Sequence, residues 1–194
     1  MTHPTVCTIR QEHAALSAVL RSMVRLLEQH RKKNTLPDFA TLRAMLFYVD
    51  EFPEKRHHRK ETELLFPKLR ARTPISRDLL DKLDQDHARG ERRIRDVEHA
   101  LLAFEMLGES RRETFERTVG EYVDFYLGHM ALEEREILPL AERVLTPDDW
   151  RGLDEAFAQN RDPLTGHVAD FEYAALFARI VNVVPAPIGL GRPL

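Results

Sequence analysis

A set of metal-ligand residue types occurs twice in this chain, in two copies that share the same spacing. Each copy begins with Gln-(Glu/Asp)-His-Ala and continues later with His-x-x-x-Glu and a proline six positions after the glutamate. The first copy comprises Gln11–Ala14, His57, Glu61 and Pro67, and the second comprises Gln85–Ala88, His129, Glu133 and Pro139. Matched copies predict one site that both halves of the chain build together.

Six residues are the candidate ligands: His13, His57, Glu61, His87, His129 and Glu133. Two carboxylates and four imidazoles inside an apolar bundle would be unfavourable without partners, and two divalent cations would offset that cost. Each cation would take two imidazoles while both glutamates bridge the pair, which leaves open positions. Nitrogen and oxygen donors without thiolate suit iron, and manganese or zinc less well. Open positions on a redox-active pair predict binding of O2, NO or peroxide.

The competing interpretation is that each residue is an ordinary helix residue. A lone histidine or glutamate on a helix is usually solvated or part of the core. The matched spacings, matched flanking residues and similar expected depth favour the metal site, because six unrelated residues would not share all three.

Apolar residues recur at spacings of three and four along most of the chain, which predicts helices. Long helices are expected over residues ~5–33, ~37–71, ~77–106 and ~110–144, with shorter ones over ~147–160 and ~167–182. Long helices with short links predict an all-α, antiparallel up-down-up-down four-helix bundle. At a rise of ~1.5 Å per residue, the six candidate ligands would form one layer in such a bundle. Pro53 predicts a kink one turn before His57.

The expected organisation is a bundle over residues 1–145 and a C-terminal extension over residues 146–194. The extension would consist of short helices and an extended tail, rich in proline and glycine from Val183 onward, packed on the bundle or on a partner. A homodimer formed through this tail is one expected form of the protein.

Bulk composition excludes several classes of protein. The net charge is -3 with charges of both signs interspersed, so no basic stripe indicates nucleic acid binding. No apolar run approaches the roughly 18–20 residues that span a bilayer, and the N-terminus lacks the pattern of a signal peptide. Cys7 is the single cysteine, so no internal disulfide can form. These features predict a cytoplasmic protein that binds neither membrane nor nucleic acid.

The combined motif resembles the hemerythrin-like, HHE cation-binding family over roughly residues 5–145. The residues that carry the resemblance are His13, His57-His58-x-x-Glu61 with Leu65-Phe66-Pro67-x-Leu69, His87, and His129-x-x-x-Glu133 with Ile137-x-Pro139-Leu140. The resemblance implies a four-helix bundle that holds two irons bridged by oxo or hydroxo groups and carboxylates. It also implies ligand roles for the six repeated residues.

Oxygen-carrying members of that family usually supply a fifth histidine near the ligand on the third helix. The corresponding neighbourhood here contains Leu83 and Glu91, which argues against reversible O2 carriage. His58 is an alternative fifth ligand, although it lies about 100° around an α-helix from His57. Glu12, Asp86 and Glu134, among others, are expected to face solvent or form ion pairs.

Three functions fit this pattern. The first is a di-iron protein that binds or reacts with O2, NO or peroxide as a sensor, a scavenger or an iron-handling protein. The second is a di-iron enzyme that turns over peroxide or NO. The third is a helical interaction module whose metal is structural.

Overall fold

The computed structural model describes residues 3–184, 186 and 189–191, and all of its regular structure is helical. No strand occurs in that part of the chain, so the predicted all-α class is confirmed. The α-helices are α1 (Pro4–Lys33), α2 (Phe39–Val49), α3 (Phe66–Arg72), α4 (Arg77–Leu107), α5 (Arg112–Leu132), α6 (Leu138–Val144), α7 (Pro147–Phe157) and α8 (Ala174–Val183).

Three π-helical segments extend the α-helices: π1 (Asp50–His58), π2 (Glu61–Leu65) and π3 (Glu133–Ile137). Residues 39–72 therefore form one uninterrupted helical stretch, and residues 112–144 form another. Pro53 lies inside π1, where the predicted kink was expected, and the helical stretch continues past it. Each His-x-x-x-Glu motif includes residues of a π-helical segment, in which the helical turn is wider than in an α-helix. Such segments are rare overall, but they often occur at functional sites.

Local chemistry explains where these helices begin and end. The Asp38 carboxylate accepts from the backbone N–H of Ala40 at the start of α2. Thr146 and Asp149 form a reciprocal capping box at the start of α7. Asn34, with φ 52°, ends α1 in the left-handed conformation that asparagine tolerates.

Two buried apolar clusters occupy the interior. One contains Leu16 and Leu20 from α1 and Ile94 from α4, and the other contains Val6 and Leu80 from the same two helices. On each of these helices the predicted ligand histidine lies between the two clusters in sequence. The site therefore lies between two apolar clusters.

The helices contact one another around this interior. Helix α4 packs against α5 and α2, and α1 packs against α5 and α2. Beyond residue 145, α7 packs on α1 and α8 packs on α2. Within the described residues, no helix combines the length and the apolar character needed to cross a bilayer.

The end of the chain is described in part. The backbone N–H groups of Leu190 and Gly191 donate to the carbonyls of Val181 and Val184, so this part folds back on the end of α8. The other residues of the predicted tail, 185, 187, 188 and 192–194, lie outside the described part of the chain.

Candidate metal centre

The predicted ligand residues come together between the two apolar clusters, and each side chain is buried. The exposed fraction does not exceed 7% for any of His13, His57, Glu61, His87, His129 and Glu133. Nε2 of His13 lies 3.2 Å from Nε2 of His57, and Nε2 of His87 lies 3.0 Å from Nε2 of His129. Each copy of the repeat therefore presents a pair of imidazole nitrogens to the same interior point.

Glu133 spans the two pairs of imidazoles. Its Oε2 lies 3.4 Å from Nε2 of His13, and its Oε1 lies 3.3 Å from Nε2 of His129. One carboxylate thus extends one oxygen to each copy of the repeat.

Glu61 also reaches both pairs. Its Oε2 lies 3.3 Å from Nε2 of His57 and 3.5 Å from Nε2 of His87. Neither oxygen of Glu61 or of Glu133 has a hydrogen-bond partner among the described residues. A buried carboxylate without a partner loses its hydration with no compensation, so these oxygens suit cation binding.

The outward nitrogens of the first copy are held by carboxylates. Nδ1 of His57 lies 2.6 Å from Oε2 of Glu12, and Nδ1 of His13 lies 3.0 Å from Oε1 of Glu134. A carboxylate only accepts hydrogen bonds, so each Nδ1 donates and each Nε2 is the nitrogen that faces the interior of the site. The imidazoles are thereby oriented as ligands.

The second copy has equivalent contacts, of which the one to His129 is looser. Nδ1 of His87 lies 2.8 Å from the Thr62 hydroxyl, whereas Nδ1 of His129 lies 3.8 Å from Oδ2 of Asp86 and makes no hydrogen bond. Thr62 follows Glu61, just as Glu134 follows Glu133, so the contacts repeat as well as the ligands.

Glu12 and Asp86 do not face solvent, and the other expectation, that they form ion pairs, is confirmed by the contacts of Glu12 with His57 and of Asp86 with Lys82. Both carboxylates are buried, with exposed fractions of 6% and 3%. Each directly precedes a ligand histidine, and the helical turn directs it towards the other histidine of its copy. The sequence did contain a signal, because an acid occupies this position in both copies. Asp86 also forms an ion pair with Lys82.

His58 joins the site although the repeat does not include it. Its ring is 3% exposed and stacks on His87 with centroids 4.5 Å apart. Ligand atoms of His58, Glu61, His87 and His129 all lie within 4.8 Å of one another, and those of His13, His57 and Glu61 meet the same limit.

A further buried carboxylate, Glu54, lies behind His58. Its Oε2 is 3.2 Å from Nδ1 of His58, and its Oε1 accepts from the hydroxyls of Tyr122, at 2.9 Å, and Tyr126. Burial raises the pKa of Glu54 to about 7, although the two tyrosine hydroxyls oppose that shift. Gly90 provides space for this group, because a Cβ there would lie 1.7 Å from the Tyr126 hydroxyl oxygen.

Charge within the cluster is divided among the imidazoles. Burial lowers the pKa of His129, but the Glu133 charge and the Asp86 contact outweigh it and raise that pKa to about 10. Burial and the neighbouring His57 and His129 hold the pKa of His58 well below its ordinary value. Without a cation, protons on some imidazoles balance the carboxylates, and a bound cation would displace those protons.

The donor set fits the binding of metal cations. Four carboxylate oxygens without hydrogen-bond partners in the described part of the chain face the Nε2 atoms of the imidazoles, and no thiolate is present among them. Nitrogen and oxygen donors of this kind hold iron, manganese or zinc.

Two cavities approach the centre. A cleft of 550 Å³ is lined by polar residues that include Glu54, His58, Thr62 and His87, so it leads from the surface to the second copy. A small pocket beside His13 and His57 is lined by apolar Leu16, Phe52 and Pro53 and by polar residues that include Glu12 and Asn160.

Comparison with known proteins assigns the family. The hemerythrin HHE cation-binding domain matches residues 6–141, which is most of the chain. The protein belongs to this family, and the predicted resemblance is confirmed. Searches of curated proteins and of solved structures returned no match.

Proposed function

We propose that this protein is a non-haem di-iron protein that binds or reacts with O2, NO or peroxide. Its ligands are His13, His57, Glu61, His87, His129 and Glu133, with both glutamates bridging two irons. Two adjacent irons would supply redox electrons and open positions for a small diatomic molecule or peroxide. The cellular role is sensing, scavenging or iron handling.

One observation carries this proposal. Glu61 and Glu133 are each 1% exposed, and none of their four oxygens has a hydrogen-bond partner within the described residues. Without cations, only protons on the neighbouring imidazoles would balance this buried pair, whereas cations between the imidazole pairs would balance it directly. Membership of a cation-binding family supports the same assignment.

The surrounding residues support ligand binding rather than a purely structural metal. Glu12, Glu134 and Thr62 fix the imidazole orientations, and the apolar clusters keep bulk water from the carboxylates. The polar cleft beside His58 and His87 offers a small molecule a path from the surface.

We also propose the finer architecture that suits this site. The helical stretches 4–33, 39–72, 77–107 and 112–144 form an antiparallel up-down-up-down bundle, and residues 146–194 form an extension packed on it. Helix–helix contacts and hydrogen bonds such as Thr5 to Asp154 support this arrangement.

The first test is metal analysis of protein purified without added metal, followed by absorption and Mössbauer spectra before and after O2 or NO. We expect about two irons per chain, and optical bands that change when the small molecule is added. One zinc per chain and no response to either gas would contradict the proposal.

A matched pair of variants makes the test specific. Glu133→Ala removes a predicted bridge and is expected to abolish binding of at least one iron. Glu136→Ala, an exposed glutamate in the same π-helical segment, is expected to keep both irons. Loss of iron in both variants, or in neither, would count against the assignment. Adding peroxide or NO in excess then separates stoichiometric reaction from turnover.

A further inference from the structure

We propose that His58 is a fifth imidazole ligand, so that one cation binds three imidazoles and its neighbour binds two. This inference rests on the proposed function, because it adds a ligand to the same pair of cations. It assigns a role to a residue that lies outside the repeated motif.

The inward nitrogen of His58 has the properties of an unused ligand atom. Nε2 is buried and lacks a hydrogen-bond partner within the described residues. It belongs to the group of ligand atoms within 4.8 Å of one another that includes Glu61, His87 and His129. A neutral imidazole nitrogen with this position would otherwise lose its hydration without gain.

The outward nitrogen is held as it is in the ligand histidines. Nδ1 of His58 donates to Glu54, as Nδ1 of His57 donates to Glu12. The hydroxyls of Tyr122 and Tyr126 donate to Glu54 in turn, so the carboxylate is fixed from behind. Metal-bound histidines usually have such an outer acceptor.

The two copies of the repeat differ at three positions that touch one another in space. Aligning His57 with His129 pairs His58 with Met130 and Glu54 with Tyr126. Aligning His13 with His87 pairs Leu16 with Gly90.

These three differences form one unit. Gly90 makes room for the Tyr126 hydroxyl, Tyr126 holds Glu54, and Glu54 holds His58. Because the three substitutions act together on one side of the centre, they make the pair of cations unequal. The cation beside His87 and His129 has one fewer open position than its neighbour.

Proton NMR of the Co²⁺-loaded protein in water can count the ligand imidazoles directly. Each metal-bound histidine gives a paramagnetically shifted N–H signal from its Nδ1 proton. We expect five such signals in the wild type and four in His58→Ala. His99→Ala, which removes an exposed histidine of α4, should keep five.

Metal affinity gives a second, independent measurement. In chelator competition with Co²⁺, His58→Ala should lower the affinity for one of the two cations by about 100-fold or more. Glu54→Gln should lower the affinity for the same cation by roughly 10-fold. Adding imidazole to His58→Gly should restore the tighter binding, because the adjoining cleft is open to the surface.

The outcomes separate the two proposals. Four shifted signals in the wild type, with two Co²⁺ bound, would overturn the role of His58 and leave the dinuclear centre intact. Failure of the wild type to bind two Co²⁺ would instead overturn the proposed function. The wild-type count needs no variant to fold, so it decides the inference by itself.

Discussion

The two copies of the repeat orient their histidines with different strength. In the first copy, Glu12 accepts from His57 at 2.6 Å and also accepts from the Asn160 side chain at 2.9 Å. In the second, Asp86 lies 3.8 Å from His129 and pairs with Lys82. An aspartate is one methylene shorter than a glutamate, so the same position reaches the ring in one copy and falls short in the other.

The C-terminal segment reinforces the first copy. Besides Asn160, Asp162 accepts from the Tyr48 hydroxyl at 2.7 Å, and Lys60 donates to the Ala156 carbonyl at 2.6 Å. Residues far from the repeat in sequence therefore stiffen one side of the centre. The other side depends on Thr62 and on the group around Glu54. A sequence repeat can thus produce two half-sites with unequal support.

Glu12 and Asp86 occupy the same position in the two copies, each directly before a ligand histidine. Replacing each of them by alanine should give the largest difference in metal affinity between the copies. Glu12→Ala deletes a short hydrogen bond to a ligand histidine, and we expect metal affinity to fall by about 10- to 100-fold. Asp86→Ala deletes only a longer contact, so the loss should be smaller than in Glu12→Ala. Chelator competition on both variants measures the effect. Equal losses of metal affinity, or a larger loss in Asp86→Ala, would show that the distance from the carboxylate to Nδ1 does not determine how strongly it orients the histidine.

Glycine substitutions test the asymmetry at Gly90. Gly90→Ala would force its Cβ to within 1.7 Å of the Tyr126 hydroxyl oxygen, and we expect it to destabilise the protein by about 1–3 kcal/mol. Gly128→Ala, in α5, places its Cβ in open space and should stabilise by up to ~1 kcal/mol through helix propensity. Urea unfolding of metal-free protein gives both values. A neutral or stabilising Gly90→Ala would mean that the space behind His58 is not filled.

Asp162, which accepts a hydrogen bond from Tyr48, should make the stability of the protein depend on pH. Burial is the main cause that raises the pKa of Asp162 to about 6, from an ordinary value of 3.8. Between these values the folded state binds the proton more tightly, so stability falls as pH rises from about 4 to about 6. One pKa unit is worth about 1.4 kcal/mol, so the fall attributable to Asp162 is at most roughly 3 kcal/mol.

Asp162→Asn isolates this contribution. Unfolding of metal-free wild type and variant by urea at several pH values should show a difference that shrinks in magnitude below about pH 4. Asp170→Asn, at an exposed position of the same segment, serves as the control. If the free energy of unfolding changed with pH in the same way in the wild type and in Asp162→Asn between about pH 4 and pH 6, the role of Asp162 would be disproved.

The helices were predictable because their apolar periodicity extends over many turns. The predicted range ~5–33 compares with Pro4–Lys33 in the structure, and ~77–106 compares with Arg77–Leu107. The ligand cluster was predictable for a different reason, since two copies of one motif restrict each other. Their assignment as ligands stays a prediction until a metal is measured.

Other parts of the site are harder to read from the sequence. Asn160 reaches Glu12 across most of the chain, and no local pattern encodes such a contact. His58 seemed to point away from the site because an α-helical turn was assumed. It lies in a π-helical segment, where side chains are spaced differently around the axis.

The wide turns at the two His-x-x-x-Glu motifs also limit how this chain can change in length. Each π-helical segment accommodates residues that a regular α-helix would have placed elsewhere around its axis. Deleting a single residue between the histidine and the glutamate of either motif would rotate the glutamate by about 100° relative to that histidine. Insertions and deletions that loops between helices absorb would therefore be harmful inside these two motifs, even where no ligand residue is lost.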